Sequence, residues 1–183
     1  MSDIFDGVLF EPPPNGDEAD TLVGSLERQR RTFAWKCGVA DADGMRATVG
    51  ASSLTLGGLL KHLALVESYY FSVKLWERPI ASPFDTVDFD ADPEWEFRTA
   101  ADDSPEELMK LWEDNVRASR ELLAEALAEG GLDFTWRSPW SDGIAPSVRR
   151  LLVDLIEEYA RHTGHADIIR ESVDGLVGED PPG

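Results

Sequence analysis

Two histidines lie three residues apart near the C-terminal end of the chain. They are His162 and His165, and the sequence contains only 3 histidines. Within a helix this spacing places both imidazole rings on one face, close enough to share one ion. Glu158 lies one turn before His162 on the same side. The spacing therefore predicts a metal site on one helix face.

The third histidine, His62, belongs to another helical pattern, which covers residues 55–76. Its apolar stripe recurs at steps of three and four and consists of Leu59, His62, Val66, Tyr69, Val73 and Trp76. His62 and His162 thus both occupy positions that hydrophobic side chains normally fill. A single buried histidine is more often hydrogen-bonded to a nearby carbonyl than bound to a metal. Three histidines on two such stripes favour metal binding if the helices pack together.

The ligand types indicate which metal such a site would take. Neutral imidazole binds zinc, nickel and iron, and zinc is the usual occupant of histidine sites. Three protein ligands leave a coordination position for water or substrate, which is typical of catalytic sites. The sequence leaves three roles open for Glu158: a ligand, an acid that orients an imidazole, or a solvated helix acid.

Other polar residues near these stripes have less specific patterns. Asp167 and Arg170 are three apart, which predicts an ion pair, with substrate anchoring as the second interpretation. Glu67 is five residues beyond His62, so we expect it on another face, at the surface or between helices. Cys37 has no histidine near it in sequence, and we expect a small buried residue at a helix end rather than a nucleophile.

Four amphipathic patterns predict an all-α fold, a four-helix bundle with long loops. They cover residues 17–37, 55–76 with Ser52 or Ser53 as the cap, 104–130 with a capping box at its start, and 148–174. Residues 39–50 and 79–103 are predicted to connect them, the second with one short helical turn. We expect one domain over residues 1–183, with an extended arm at 1–16 and a loose tail at 176–183.

Charge and composition exclude several classes of function. The net charge is −19, from 17 basic and 36 acidic residues, which opposes binding to nucleic acid. No apolar run approaches the roughly 20 residues of a membrane span, and no signal peptide is evident. A single cysteine is consistent with a reducing compartment, so we expect a cytoplasmic protein without nucleic-acid or membrane partners.

Two blocks of sequence resemble a known family. They are SLTLGGLLKHLALVE at 53–67 and EYARHTGHADIIRE at 158–171. Together they are similar to the DUF664 branch of the DinB/YfiT-like superfamily, and the resemblance covers nearly the whole chain. It implies a four-helix bundle, commonly a homodimer, in which three histidines hold a divalent metal between helices. Related members include mycothiol-dependent maleylpyruvate isomerase and bacillithiol S-transferases, which use the metal to activate a thiol cofactor.

The spacing of the later ligands departs from that family. Many members place them four residues apart, whereas His162 and His165 are three apart. Glu158 and His162 do have the four-residue spacing. The third ligand is therefore either His165 or Glu158.

Two functions follow as hypotheses. The first is a metal-dependent enzyme that activates a low-molecular-weight thiol, such as mycothiol, for transfer to a small electrophile or for its isomerisation. In this hypothesis His62, His162 and His165 hold the metal, and Arg170 or a loop residue orients a substrate carboxylate. The alternative is a non-catalytic, stress-linked dimeric bundle that binds a metal or small molecule. An open coordination position facing a cleft favours the enzyme, and a fourth protein ligand in a sealed core favours the alternative.

Overall fold

The computed structural model describes residues 3–7, 11–38 and 40–178, and it confirms the all-α bundle. The described residues form six α-helices: α1 (Glu18–Cys37), α2 (Ala42–Arg46), α3 (Leu56–Glu67), α4 (Trp95–Thr99), α5 (Pro105–Gly130) and α6 (Val148–Asp174). A π-helix, Ser68–Leu75, extends α3. The described residues contain no β-strand. None of their helices combines the length and apolarity that crossing a bilayer requires.

The long helices pack in two main pairs, α1 against α6 and α3 against α5. Their ends are set by local side chains. Asp17 caps α1, and Ser104 forms the predicted capping box with Glu107 at the start of α5. Helix α6 begins after Ser147 and ends at Gly175, whose φ of 74° is the left-handed conformation that glycine adopts most easily. A capping side chain stabilises its helix by about 1 kcal/mol.

The second long helix differs from its prediction at both ends. Its cap is Thr55 and not Ser52 or Ser53, because Thr55 Oγ1 accepts a hydrogen bond from the Gly58 amide. After Glu67 the chain continues as a π-helix whose core residues include Phe71 and Leu75, both 0% exposed. Tyr69, predicted to lie on the core stripe, is 38% exposed. The predicted stripe therefore leaves the core at Tyr69 and Val73, whereas Trp76, at 4% exposure, lies in it as predicted.

The connections contain more helix than predicted. Helix α2 lies within residues 39–50, of which Val39 is outside the described residues. The expected short turn within 79–103 is α4, which packs on α3. A Cβ at Gly58 would lie 3.1 Å from Phe97 Cδ1 and 3.6 Å from its Cα, so a larger residue here would push the Phe97 ring away by a few tenths of an ångström. The close packing brings α4 up to the His62 side of α3.

The chain ends only partly match their predictions. Residues 1, 2 and 8–10 of the predicted arm and 179–183 of the predicted tail lie outside the described residues. Within the arm, Asp3–Phe5 forms a short 3-10 turn instead of extended chain. Phe5 is 4% exposed, with its ring centroid 6.4 Å from that of Trp112. This apolar contact explains why the segment folds onto the bundle.

A polar network crosses the core and ties all four long helices together. Arg30 of α1 donates two hydrogen bonds, of 2.8 and 2.7 Å, to the Glu67 carboxylate of α3. Tyr159 of α6 also donates to Glu67, and Trp112 of α5 donates to the Tyr159 hydroxyl. Arg30, Glu67, Tyr159 and Trp112 are each 0% exposed. Glu67 thus has the inter-helix role that its position predicted, and not the surface role.

Candidate metal centre

Three side chains from α3 and α6 meet at one point. They are His62, Glu158 and His162, and each offers a ligand atom within 4.8 Å of the others. Glu158 Oε1 lies 3.2 Å from His62 Nε2 and 3.1 Å from His162 Nε2. The two imidazole centroids are 5.0 Å apart. Within the described part of the chain this is the one group of such residues that could hold a metal.

His165 lies beside this group, on the other side of the His162 ring. Its Nδ1 is 3.3 Å from His162 Nδ1, whereas His162 faces Glu158 through Nε2. Burial, followed by the charge of His162, lowers the pKa of His165. Of the two candidates for the third ligand, Glu158, four residues before His162, lies in the group with His62 and His162. His165 lies beside that group. Metal binding by any of these residues stays a prediction.

Glu96 and Phe97 of α4 complete the surroundings of His62, and neither was identified from the sequence. Glu96 Oε1 lies 3.1 Å from His62 Nδ1, and the carboxylate is buried at 5% exposure. Phe97 stacks on the imidazole with a centroid distance of 4.9 Å and an interplanar angle of 23°. The available signal was an acid between two aromatic residues, Trp95 and Phe97, in an otherwise irregular segment. Trp and Phe are usually buried, so this pair indicates a segment that packs on the bundle and carries the acid with it.

The two carboxylates determine the charge state of His62 when no ion is bound. Burial alone would lower the pKa of His62, but hydrogen bonds to Glu158 and Glu96 and their negative charges outweigh it and raise the pKa to about 9. Hydrogen bonds from His162 and then His62 hold the pKa of Glu158 well below its usual range. The ion-free cluster is thus a charged assembly with imidazolium character at His62.

The residues present fit a divalent metal. Two imidazoles and one carboxylate are the protein ligands of several catalytic zinc sites. Bonds of about 2.0–2.1 Å in tetrahedral geometry would separate neighbouring ligand atoms by about 3.3 Å. The observed separations between Glu158 Oε1 and the two imidazole Nε2 atoms, 3.1 and 3.2 Å, are close to that value. Glu96 at Nδ1 of His62 supplies the carboxylate–histidine pairing that commonly orients such ligands.

A pocket of about 420 Å³ opens beside the cluster and is lined by both His62 and Glu158. Arg150 and Arg161 also line it, with side chains 58% and 65% exposed. Arg150 pairs with Asp154 at 2.6 Å, and Arg161 lies 3.7 Å from Glu158 Oε2. Sequence reasoning missed both arginines, because helical spacing alone does not show which exposed cations border a cavity.

Arg170 does not line this pocket. Its side chain is 1% exposed and donates to the Lys36 carbonyl and to Asp174. The predicted ion pair between Asp167 and Arg170 is wrong, because Asp167 pairs instead with Lys36 of α1. Helix α6 packs tightly on α1, and this interface supplies nearer partners for both side chains.

The fold and cluster define a helical bundle with a metal-competent His/Glu/His group. A family model described as mycothiol-S-transferase matches residues 21–175. The chain therefore belongs to the mycothiol-S-transferase family, within the DinB/YfiT-like superfamily that its sequence blocks resemble. The match does not single out the DUF664 branch. A comparison with curated proteins gave no match.

Proposed function

We propose that this protein is a divalent-metal-dependent transferase that joins a low-molecular-weight thiol, such as mycothiol, to a small electrophile. Its family supports mycothiol-related transfer. The observation that carries the proposal is the pocket of about 420 Å³, which opens onto His62 and Glu158 of the cluster. An open pocket at the donor atoms favours an enzyme over the alternative, a non-catalytic metal-binding bundle, which needs no access for a substrate.

In this proposal His62, Glu158 and His162 hold the ion, and zinc is the usual metal for such ligands. When bound, a divalent ion supplies Lewis acidity that lowers the pKa of a thiol. Glu96 accepts the Nδ1 proton of His62 and so leaves Nε2 free as a donor atom. His165 remains the alternative third ligand that the resemblance implies.

In this proposal a pocket arginine binds an acidic group of the substrates. Arg161 is 65% exposed and lies 3.7 Å from Glu158 Oε2, so it suits a carboxylate of the thiol or of the electrophile, whereas Arg150 is paired with Asp154 at 2.6 Å. Arg170, the residue first considered for this role, has its guanidinium engaged with Lys36 and Asp174. We further propose a homodimer in the cytoplasm, where a small thiol is kept reduced.

The test combines metal analysis with thiol transfer. Untagged protein is stripped with a chelator, reloaded with zinc, nickel or iron, and incubated with mycothiol and a panel of epoxides, α-haloketones and halonitroaromatics. Mass spectrometry should show thioether forming faster than the uncatalysed reaction with reloaded protein, and at the uncatalysed rate with His162→Ala. Glu121→Ala, at an exposed position on α5, serves as the control and should behave as wild type. A reloaded protein that binds one ion per chain and does not accelerate thioether formation would favour the non-catalytic bundle.

A further inference from the structure

A second cavity adjoins the candidate metal centre and is chemically different from it. It measures about 650 Å³ and shares two wall residues, Val66 and Tyr70, with the pocket at His62. Ten of its twelve lining residues are apolar or aromatic. We call it the apolar groove. Its size falls within the roughly 300–1,000 Å³ that is typical of small-molecule sites.

The apolar groove continues the helix face that carries His62. Val66, Tyr70 and Val73 follow His62 along α3 and the π-helix, at about one, two and three turns beyond it. Val66 and Tyr70 border both cavities, and Val73 borders only the groove. Part of the predicted core stripe, Val66, Tyr69 and Val73, thus forms a wall of the groove that leads away from the metal centre. π-Helical segments are frequent at functional sites, and this one supplies that wall.

The opposite wall is connected to the metal centre as well. Phe84 and Phe89 line the groove, and their rings meet Trp95 edge-on at centroid distances of 6.2 and 6.4 Å. Trp95 directly precedes Glu96, the carboxylate on His62 Nδ1. The segment of residues 84–96 therefore forms a wall of the groove and also supplies the carboxylate that contacts His62.

The charged residues of the groove offer little attraction for an anionic ligand. Arg78 is held by Glu125 at 3.0 Å, with its guanidinium 4.9 Å from the Trp76 ring centroid. Asp85 is exposed and would repel an anion. An uncharged apolar group is the occupant that this lining favours, since burying it removes apolar surface from water on both sides.

We infer that the apolar groove binds the hydrocarbon or aromatic part of the electrophile, whose reactive carbon then lies toward His62 and Glu158. This inference rests on the proposed function and specifies its substrate class: uncharged electrophiles with an apolar group about the size of a benzene ring or larger. An aryl epoxide is a member of that class. The thiol sulfur forms a C–S bond to a ring carbon, and that carbon's C–O bond breaks. The oxygen keeps the electron pair and takes a proton, and the thiol proton passes to solvent, so all atoms balance.

The kinetic test compares two epoxides with the same reactive ring, styrene oxide and 1,2-epoxypropane, each with mycothiol and zinc-loaded protein. Each kcat/KM is divided by the uncatalysed rate constant for that epoxide, which removes their intrinsic reactivity difference. We expect the corrected value for styrene oxide to be larger by at least about tenfold, since apolar pockets discriminate by such factors. Ile80→Asp, in the groove wall, should remove this preference, so that the ratio of the two corrected values falls at least about fivefold.

The matched control is Ile144→Asp, the same change at a side chain that is 57% exposed and outside the groove lining. It should keep the preference. If Ile80→Asp loses its helical circular dichroism, Val87→Asp replaces it in the same wall. Equal corrected values for the two epoxides in wild type would overturn the inference. So would a dimer that dissociates in Ile80→Asp while the preference is unchanged, because the groove would then be a contact between copies.

A binding measurement separates failure of this inference from failure of the proposed function. Nitrogen-15 NMR of the metal-free protein is titrated with 1-phenylethanol, an unreactive probe. Saturable shifts confined to residues 65–89, weakened at least about fivefold by Ile80→Asp and unchanged by Ile144→Asp, support the groove even if no thioether ever forms. Absence of saturable shifts in that segment would overturn the inference that the groove binds an apolar group, even if thiol transfer is observed.

Discussion

Glu158 Oε1 lies within hydrogen-bond distance of the Nε2 atoms of both His62 and His162. This arrangement predicts which substitutions at the site should reduce metal binding most. If the three side chains hold the ion together, His62→Ala, His162→Ala and Glu158→Ala should each abolish stoichiometric metal binding. His165→Ala should weaken binding by about 10- to 100-fold at most, as expected for a neighbour of a ligand. Elemental analysis of untagged protein measures the occupancy, and Glu171→Ala, exposed on the same helix, is the control.

Helix content should survive these substitutions, because packing of apolar faces supplies most of the stability of a bundle. The opposite ranking, with His165→Ala severe and Glu158→Ala mild, would make His165 the third ligand. Full metal occupancy in both His62→Ala and His162→Ala would show that the metal does not bind at this position.

The raised pKa of His62 also predicts how the ion-free protein responds to pH. Because the folded-state pKa is about 9 and the unfolded value about 6.5, His62 stabilises the fold fully below about pH 6.5 and loses that effect as pH rises through 9. Between pH 6.5 and 9.5 the loss should be about 3 kcal/mol in the free energy of unfolding. Urea unfolding at pH 6.5, 8 and 9.5 in chelator measures it. In His62→Gln the decline should be smaller by that amount, and an identical decline in both proteins would contradict the assignment.

At the scale of the helices, the buried network around Glu67 holds the bundle in register. Glu67→Gln keeps the shape of the side chain but removes one of two carboxylates that face Arg30, which is itself 0% exposed; Glu27, at 2.7 Å, remains as its partner. We expect a loss of about 1–3 kcal/mol, because two charge-assisted hydrogen bonds are weakened while the buried guanidinium stays paired. Tyr159→Phe removes one hydrogen bond to the same carboxylate and should cost about 1–3 kcal/mol.

Urea unfolding of both variants measures these losses, with Glu121→Gln at an exposed position of α5 as the matched control. Wild-type stability in Glu67→Gln would show that the network contributes nothing net to the fold.

Periodicity and capping predicted the elements that follow local rules. The Ser104 capping box and the Asp174–Gly175 end of α6 appear as the sequence indicated, since both depend on residues within one turn. The π-helix was not predictable, because its stripe also satisfies ordinary helical spacing and only tertiary packing distinguishes the two. Glu96 was missed for a related reason: its partner, His62, is 34 residues away and is reached only because α4 packs on Gly58. The cluster on α6 was evident because Glu158 and His162 share one helix face.

The whole molecule carries a net charge of −19, which should influence its association. We expect a two-fold dimer, on the basis of the family resemblance and because closed two-fold symmetry is the commonest arrangement of soluble oligomers. Repulsion between two acidic copies weakens as salt screens it, so the dimer should be favoured at 500 mM relative to 50 mM sodium chloride, where the Debye length falls from about 14 to 4 Å. Light scattering coupled to gel filtration measures the mass. A monomer at micromolar concentration in both buffers would contradict the expectation.

The burial of Cys37 has a consequence for a protein that handles electrophiles. It is the chain's single cysteine, it is 0% exposed, and burial raises the pKa of its thiol. A neutral, inaccessible sulfur reacts poorly with alkylating agents. The folded protein is therefore spared self-inactivation by the compounds it is proposed to process. Cys37 should also not react with reagents that quantify thiols until the protein unfolds. Every thiol measured in an assay of the folded protein should therefore belong to the added cofactor.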